Sequence, residues 1–162
     1  TAQFYSPAEI IMVDLDDNRL EVSKEFGATD TVNSGDENAV DKIMELTNGK
    51  GVDVSIEAVG VPATFDICQD IVKAGGQVAV VGVHGTSVDL KLEELWIKNI
   101  TMTTGLVDTY TIPMLMKTVG SGELEPDQLI THHFDLDNIM EAYDTFGNAS
   151  EEKALKVILE NK

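Results

Sequence analysis

The sequence predicts an α/β protein in which a parallel sheet carries flanking helices. Three observations lead there. Short apolar runs alternate with amphipathic stretches of about ten residues, the rhythm of crossover units that join parallel strands. The run Ile10-Ile11-Met12-Val13 ends on a carboxylate, Asp14. Successive apolar runs are each followed by a glycine, at Gly60, Gly82 and Gly105.

Taken in order, Ala2 to Tyr5 reads as a helix end, and Ile10 to Asp14 as a short buried strand. Asp16-Asp17-Asn18 then offers short oxygen-bearing side chains that can cap free backbone N–H groups, so a helix starts there. Leu20 and Phe26 anchor it, and Gly27 supplies the stop. Thr29 to Val32 predicts a second strand. Glu37 to Asn48 predicts a helix with Val40, Ile43, Met44 and Leu46 on its apolar side. From Val52 to Ala58 apolar and polar residues alternate with period two, which predicts a strand whose polar face (Asp53, Ser55, Glu57) is the less buried one.

Pro62 to Lys73 predicts a helix with proline in its first turn. Gly75-Gly76 turns the chain into Val78-Ala79-Val80-Val81, a run typical of a strand buried on both faces. Leu92 to Ile97 reads as helical and Ile100 to Thr104 as a strand. A helix near Tyr110 to Val119, an extended stretch from Leu129 to Phe134, a helix from Leu136 to Phe146 and a strand from Ala154 to Leu159 complete the chain. A loop is expected over Gly120 to Pro126, and the stretch from Gly120 to Asp127 is the expected boundary between two structural regions.

Composition narrows the function. The 162 residues carry 11 Lys and Arg against 29 Asp and Glu, a net charge of −18 that disfavours nucleic acid and anionic membrane. A single cysteine, Cys68, excludes an internal disulfide and a cysteine-based zinc site. No run approaches the ~20 apolar residues of a spanning helix, and no signal-peptide pattern opens the chain, so a cytoplasmic location is expected.

The motifs point to a nucleotide. A carboxylate at the end of a second strand can bind the hydroxyls of an adenosine ribose, and its charge repels the additional phosphate of NADP, which favours NAD. Ala58-Val59-Gly60, Val81-Gly82-Val83 and Thr104-Gly105-Leu106 put small or flexible residues where parallel strands end, the place where such sheets bind ligands. Counting back about 20 residues from Asp14 puts the phosphate-binding glycine loop before Thr1. Asp14-x-Asp16-x-Asn18 imitates a calcium loop, but Arg19 stands where that loop needs glycine. His132 and His133, adjacent on a strand, point to opposite faces and do not grip one metal together. His84 follows a strand-end glycine, where it could touch a ligand, and a solvent-exposed loop is the expectation for it.

The blocks AEIIMVDLDDNRLEVSKEFGATDT, GVDVSIEAVG and VAVVGVHG, in that order and spacing, resemble the medium-chain zinc alcohol dehydrogenases. The similarity continues through LITHHFDLDNIMEAYDTF to ALKVIL. The resemblance implies a Rossmann-type parallel sheet that lacks its first strand and glycine loop, followed by a C-terminal piece of the catalytic domain. On that reading residues 1–122 are an incomplete NAD-binding domain and residues 123–162 belong to the catalytic domain.

The resemblance also implies roles. Asp14 would hold the ribose hydroxyls, with Arg19 against the adenosine edge. Ala58, Val59 and Gly60 would line the stretch from adenine to ribose. Val81, Gly82 and Val83 would approach the nicotinamide, and Thr104, Gly105 and Leu106 the carboxamide. Lys156 resembles the basic residue that reaches the pyrophosphate. A homodimer would form through the strand near Ile100 to Thr103. The parent enzyme would bind NAD, zinc and an alcohol or aldehyde, and transfer hydride between alcohol and NAD. With the zinc ligands expected upstream, this chain alone is expected to be inactive. A missing central strand would leave the strands at Ile10–Val13 and Val52–Ala58 with unpaired edges. Two other readings stay open: a non-catalytic fragment that only self-associates, and a methyltransferase-like nucleotide fold.

Overall fold

The computed structural model describes residues 1–106 and 109–161. After a 3-10 turn at Ala2–Tyr5 come β1 (Ile11–Asp14), α1 (Asp17–Glu25), β2 (Asp30–Asn33), α2 (Ala39–Leu46), β3 (Val52–Glu57), α3 (Pro62–Ile71) and β4 (Val72–Val80). They are followed by α4 (Leu92–Leu95), β5 (Thr101–Thr104), α5 (Ile112–Gly120), β6 (Ile130–Asp135), α6 (Ile139–Gly147), α7 (Ala149–Glu152) and β7 (Lys156–Glu160). All four strand pairs are parallel: β1 with β2, β3 with β4, β4 with β5, and β6 with β7. The α/β class is therefore as expected. Among the described residues no helix is long and apolar enough to cross a membrane.

The chain forms two compact units, residues 1–33 with 109–162, and residues 34–108. In the first, Asp16 caps α1 by accepting the Arg19 N–H at 3.0 Å, and Gly27 ends the helix region with φ 91°. Leu20, from α1, and Val32, from β2, are buried. The crossover from β6 to β7 runs through α6, whose Ala142 is buried, and through α7, a short helix that the sequence reading did not foresee. His132 stacks on Phe134 with ring centroids 6.5 Å apart, while His133 reaches Glu160 at 2.9 Å. The two histidines do face opposite sides of β6.

The second unit places β4 between β3 and β5. Asn38 caps α2 through the Val40 and Asp41 N–H groups, and Asn48 and Gly49 end it with φ 54° and 74°. The core gathers Phe65 and Cys68 of α3, Val72, Val78 and Val80 of β4, and Leu95 of α4, with Val88, Ile100 and Met102 packed against it. Three expectations are corrected here. The helix over residues 62–73 stops at Ile71, because Val72 and Lys73 already belong to β4, whose pairing with β3 slips between Val72 and Gln77 around Gly75-Gly76. Val81 is not part of a strand buried on both faces: it lies past the end of β4 and is exposed, and Ala79 is only partly buried.

The third correction concerns β3, whose alternation is inverted. Ser55 and Glu57 are 4% and 1% exposed, while Val54 and Ile56 are 50% and 57% exposed. The reason is that α3 lies over the polar face and satisfies it. The Ser55 hydroxyl donates to the Cys68 carbonyl at 3.0 Å, and Glu57 is engaged by the turn that leads into α3. Burial is tolerated at the Ser55 hydroxyl and at Glu57 Oε1, whose hydrogen bonds are made.

Candidate cofactor site

In the first unit Asp14 is the last residue of β1. Its Oδ1 accepts the N–H groups of Leu15 at 2.8 Å and Asp16 at 3.0 Å, which turns the chain into α1 and fixes the carboxylate at the strand end. The Arg19 guanidinium stands 3.9 Å from Oδ1 and is about half exposed. Among the described residues no hydrogen bond reaches Oδ2, so this acceptor is open to a hydroxyl. Next to it, Asp16 is held below the usual carboxylate range, first by a hydrogen bond from Ser150 and then by the Arg19 N–H. The acidic pair is thus spent differently: Asp16 caps the helix, and Asp14 keeps one oxygen free. Lys156 opens β7, which pairs with β6 and not with the strand that carries Asp14.

In the second unit two strand-end turns meet backbone to backbone. Gly60 has φ 89°, and a Cβ there would fall on the Val83 carbonyl group, 2.6 Å from its carbon. At Gly82 a Cβ would strike the Gly60 backbone nitrogen and the Glu57 carboxylate, and lie 2.9 Å from the Gly60 Cα. Only glycine permits this approach at both positions. The result is a narrow ledge in which Ala58 and Val59 from one turn, and Val81 and Val83 from the other, face outward and are exposed. Thr104 pairs with Val80 at the end of β5, so Thr104, Gly105 and the exposed Leu106 continue the ledge along the carboxyl ends of the sheet.

Glu57 holds the ledge from beneath. Its Oε1 accepts from the Val59 N–H at 2.9 Å, the Gly60 N–H at 2.8 Å and the Thr64 hydroxyl at 2.6 Å. Burial works against ionisation, but the Thr64 hydroxyl, the two amides and His84 outweigh it and hold the carboxyl below its ordinary value. His84 lies with Nε2 3.2 Å from Oε2 and packs edge-on against Phe65. It is not the solvent-exposed loop histidine that the sequence suggests, since its side chain is 16% exposed. Gly82 and Gly60 bring the two turns together, and the aromatic ring covers the imidazole.

Residues 6–120 match the family described as Zinc-binding dehydrogenase. The chain belongs to the zinc-binding dehydrogenase family. It is 33% identical over 158 residues to an alcohol dehydrogenase of Cupriavidus necator, an alignment that covers 91% of this chain and 41% of the relative. Its structure superposes with a TM-score of 0.94 on zinc dependent alcohol dehydrogenase 2 from Streptococcus pneumonia, at 56% identity, covering all of this chain and 47% of that one. A putative zinc-binding dehydrogenase from Sinorhizobium meliloti, solved bound to NADP, gives a TM-score of 0.83 at 25% identity, over 94% of this chain and 45% of that one. The zinc-binding dehydrogenase chain thus spans less than half the length of these relatives.

Two members of the ledge escaped the sequence reading. Glu57 looked like an ordinary polar position of an alternating strand, and His84 like a loop residue. A signal was present. A glutamate as the last residue of a strand, followed by Gly60 and then Thr64, has two backbone donors and a hydroxyl within reach of its carboxylate, as in other turns that close on a side-chain acceptor.

Proposed function

We propose that this chain carries the NAD-binding part of a zinc-dependent alcohol dehydrogenase. The observation that carries the reading is the pair of strand-end turns that the Gly60–Gly82 contact packs together at the carboxyl ends of parallel strands, with Val59, Val81 and Val83 exposed on them. Asp14 supports NAD over NADP, because its open carboxylate oxygen accepts a ribose hydroxyl and repels a phosphate in the same position. Arg19 would lie against the adenosine, Ala58 to Gly60 along the adenine-to-ribose stretch, Val81 to Val83 beside the nicotinamide, and Thr104 to Leu106 at the carboxamide. Lys156 would answer the pyrophosphate charge. NAD, when bound, supplies the acceptor for a hydride from an alcohol. The residues of this chain bind it, orient the ring on the exposed valines and exclude water from its inner face.

Zinc is a different matter. Among the described residues no three His, Cys, Asp or Glu side chains converge as a metal site. No ligand to the metal is therefore assigned to this chain, and no step is derived through it. The division at residue 122, a homodimer through β5 and a cytoplasmic location are part of the same reading. The dimer is supported by the position of β5 at the outer edge of its sheet, beside exposed Trp96 and Ile97.

Titration of the chain with NADH and NADPH, followed by cofactor fluorescence, tests the proposal. Saturable binding of NADH, weaker for NADPH, is the expected result; equal binding of the two, or none, overturns it. A second reading has its own observation: β3 has one unpaired edge among the described residues, and its Val54 and Ile56 are exposed. On that reading the chain self-associates without binding NAD. Sedimentation would then show an oligomer that Ile56→Lys disperses, with no NADH binding in either form.

A further inference from the structure

Glu57 is a buried carboxylate that no lysine or arginine neutralises among the described residues. Lys73 pairs with Asp53, and Lys91 with Asp66 and Asp70. The Glu57 side chain is fully buried, and its Oε1 accepts the Val59 N–H, the Gly60 N–H and the Thr64 hydroxyl. Those three bonds close the turn, yet they need only an acceptor, which the side-chain oxygen of a glutamine supplies as well. A buried charge is costly, and the fold alone does not explain why this acceptor carries one.

The second oxygen shows where the charge acts. Oε2 is buried and makes no hydrogen bond among the described residues; His84 Nε2 stands 3.2 Å away without hydrogen bonding to it. The same oxygen lies against Gly82, the middle residue of the Val81–Val83 turn, where a Cβ would strike it. With no side chain at Gly82, and with Val81 and Val83 exposed, the carboxylate stands directly beneath the backbone of this turn. In such poorly polar surroundings a charge is felt well beyond contact distance. A nicotinamide seated on the turn has a cationic ring when oxidised and a neutral one when reduced. The carboxylate attracts the first and is indifferent to the second.

We propose that Glu57 is a specificity-determining residue, whose buried charge makes the Val81–Val83 turn favour the oxidised nicotinamide over the reduced one. This rests on the cofactor reading given above, which sets the nicotinamide on that turn. The test uses Glu57→Gln, which keeps an acceptor for the three donors and removes only the charge. NADH affinity is measured by cofactor fluorescence, and NAD affinity by competition against NADH, in the unaltered chain, in Glu57→Gln and in Thr64→Val. The last variant removes one donor from Oε1 and leaves the charge in place.

The expected result is a loss of NAD affinity relative to NADH of about three- to tenfold in Glu57→Gln. In Thr64→Val the two affinities change by the same factor. Equal changes for NAD and NADH in Glu57→Gln, or a ratio that moves equally in Thr64→Val, overturn the proposal and leave Glu57 a purely structural residue. If Glu57→Gln does not fold, His84→Lys, which sets a permanent ammonium beside Oε2, takes its place: the same shift against NAD is expected, and an unmoved ratio overturns the proposal. Absence of binding of both forms by the unaltered chain overturns the cofactor reading itself, and the proposal with it.

Discussion

Gly82 lies directly against Gly60, so that a side chain on the first would occupy the backbone nitrogen of the second. The contact joins the end of β4 to the end of β3 and leaves no space between them. Gly82→Ala must push the two turns apart or displace the Glu57 carboxylate. It is expected to cost about 1–3 kcal/mol, the usual range for forcing a methyl group into a filled site. Gly60→Ala adds a left-handed backbone at φ 89° to its own clash with Val83. Gly85→Ala is the control, because a Cβ there meets nothing within 4 Å. Urea unfolding followed by Trp96, the single tryptophan and a member of the same unit, should show lower midpoints for the first two variants and no change for the third.

A second prediction concerns acid. Burial opposes ionisation of Glu57, but Thr64, Gly60, Val59 and His84 hold its folded-state value below the ordinary 4.5. The group therefore adds stability at all pH values above about 4.5, and that stability is lost as pH falls through the lower, folded-state value. Glu57→Gln removes this titration. Urea midpoints measured at intervals from pH 7 to pH 3 should fall more steeply for the unaltered chain than for the variant. Parallel curves would show that Glu57 does not report on acid unfolding.

Much of the fold was legible because local signals agreed. Asp16, Gly27 and Asn48-Gly49 each stand where the helices begin or end, and parallel pairing followed from the strand–helix rhythm. The failures have physical causes. The alternation of β3 does not say which face the following helix will cover, and here α3 covers the polar one through Ser55 and Glu57. The extension of β4 back to Val72 depends on its pairing with Val52, a contact between residues 20 apart in sequence. The strand-end glycines pointed to the ledge. Glu57 and His84 did not stand out, because their burial arises only when two turns meet.

Cys68 gives a third prediction. Burial, with the nearby charge of Glu57, pushes its thiol up to about 11, although the Ser55 hydroxyl works in the other direction. At pH 8 the folded chain should react with a thiol-modifying disulfide reagent at least ten times more slowly than the urea-unfolded chain, since the thiolate is the nucleophile. The sign of its linkage is opposite to that of Glu57. Its contribution is complete below 9.0 and is lost as pH rises from 9.0 towards 11. Rapid modification of the native chain at pH 8 would contradict this.

The last prediction returns to Asp14. Its Oδ1 is committed to the Leu15 and Asp16 N–H groups, so the free oxygen, not the bound one, is available to a ribose. Asp14→Asn keeps an acceptor for the two amides but removes the charge. It should weaken NADH by about 1–3 kcal/mol, the cost of losing a hydrogen bond to a charged group, and leave NADPH unchanged or bound more tightly. Arg19 strengthens the second effect, because once the carboxylate 3.9 Å away is neutral its guanidinium is freed to meet a phosphate. The measurement is the ratio of the two affinities in the variant and in the unaltered chain. A ratio that does not move would show that Asp14 shapes the start of α1 and does not select the cofactor.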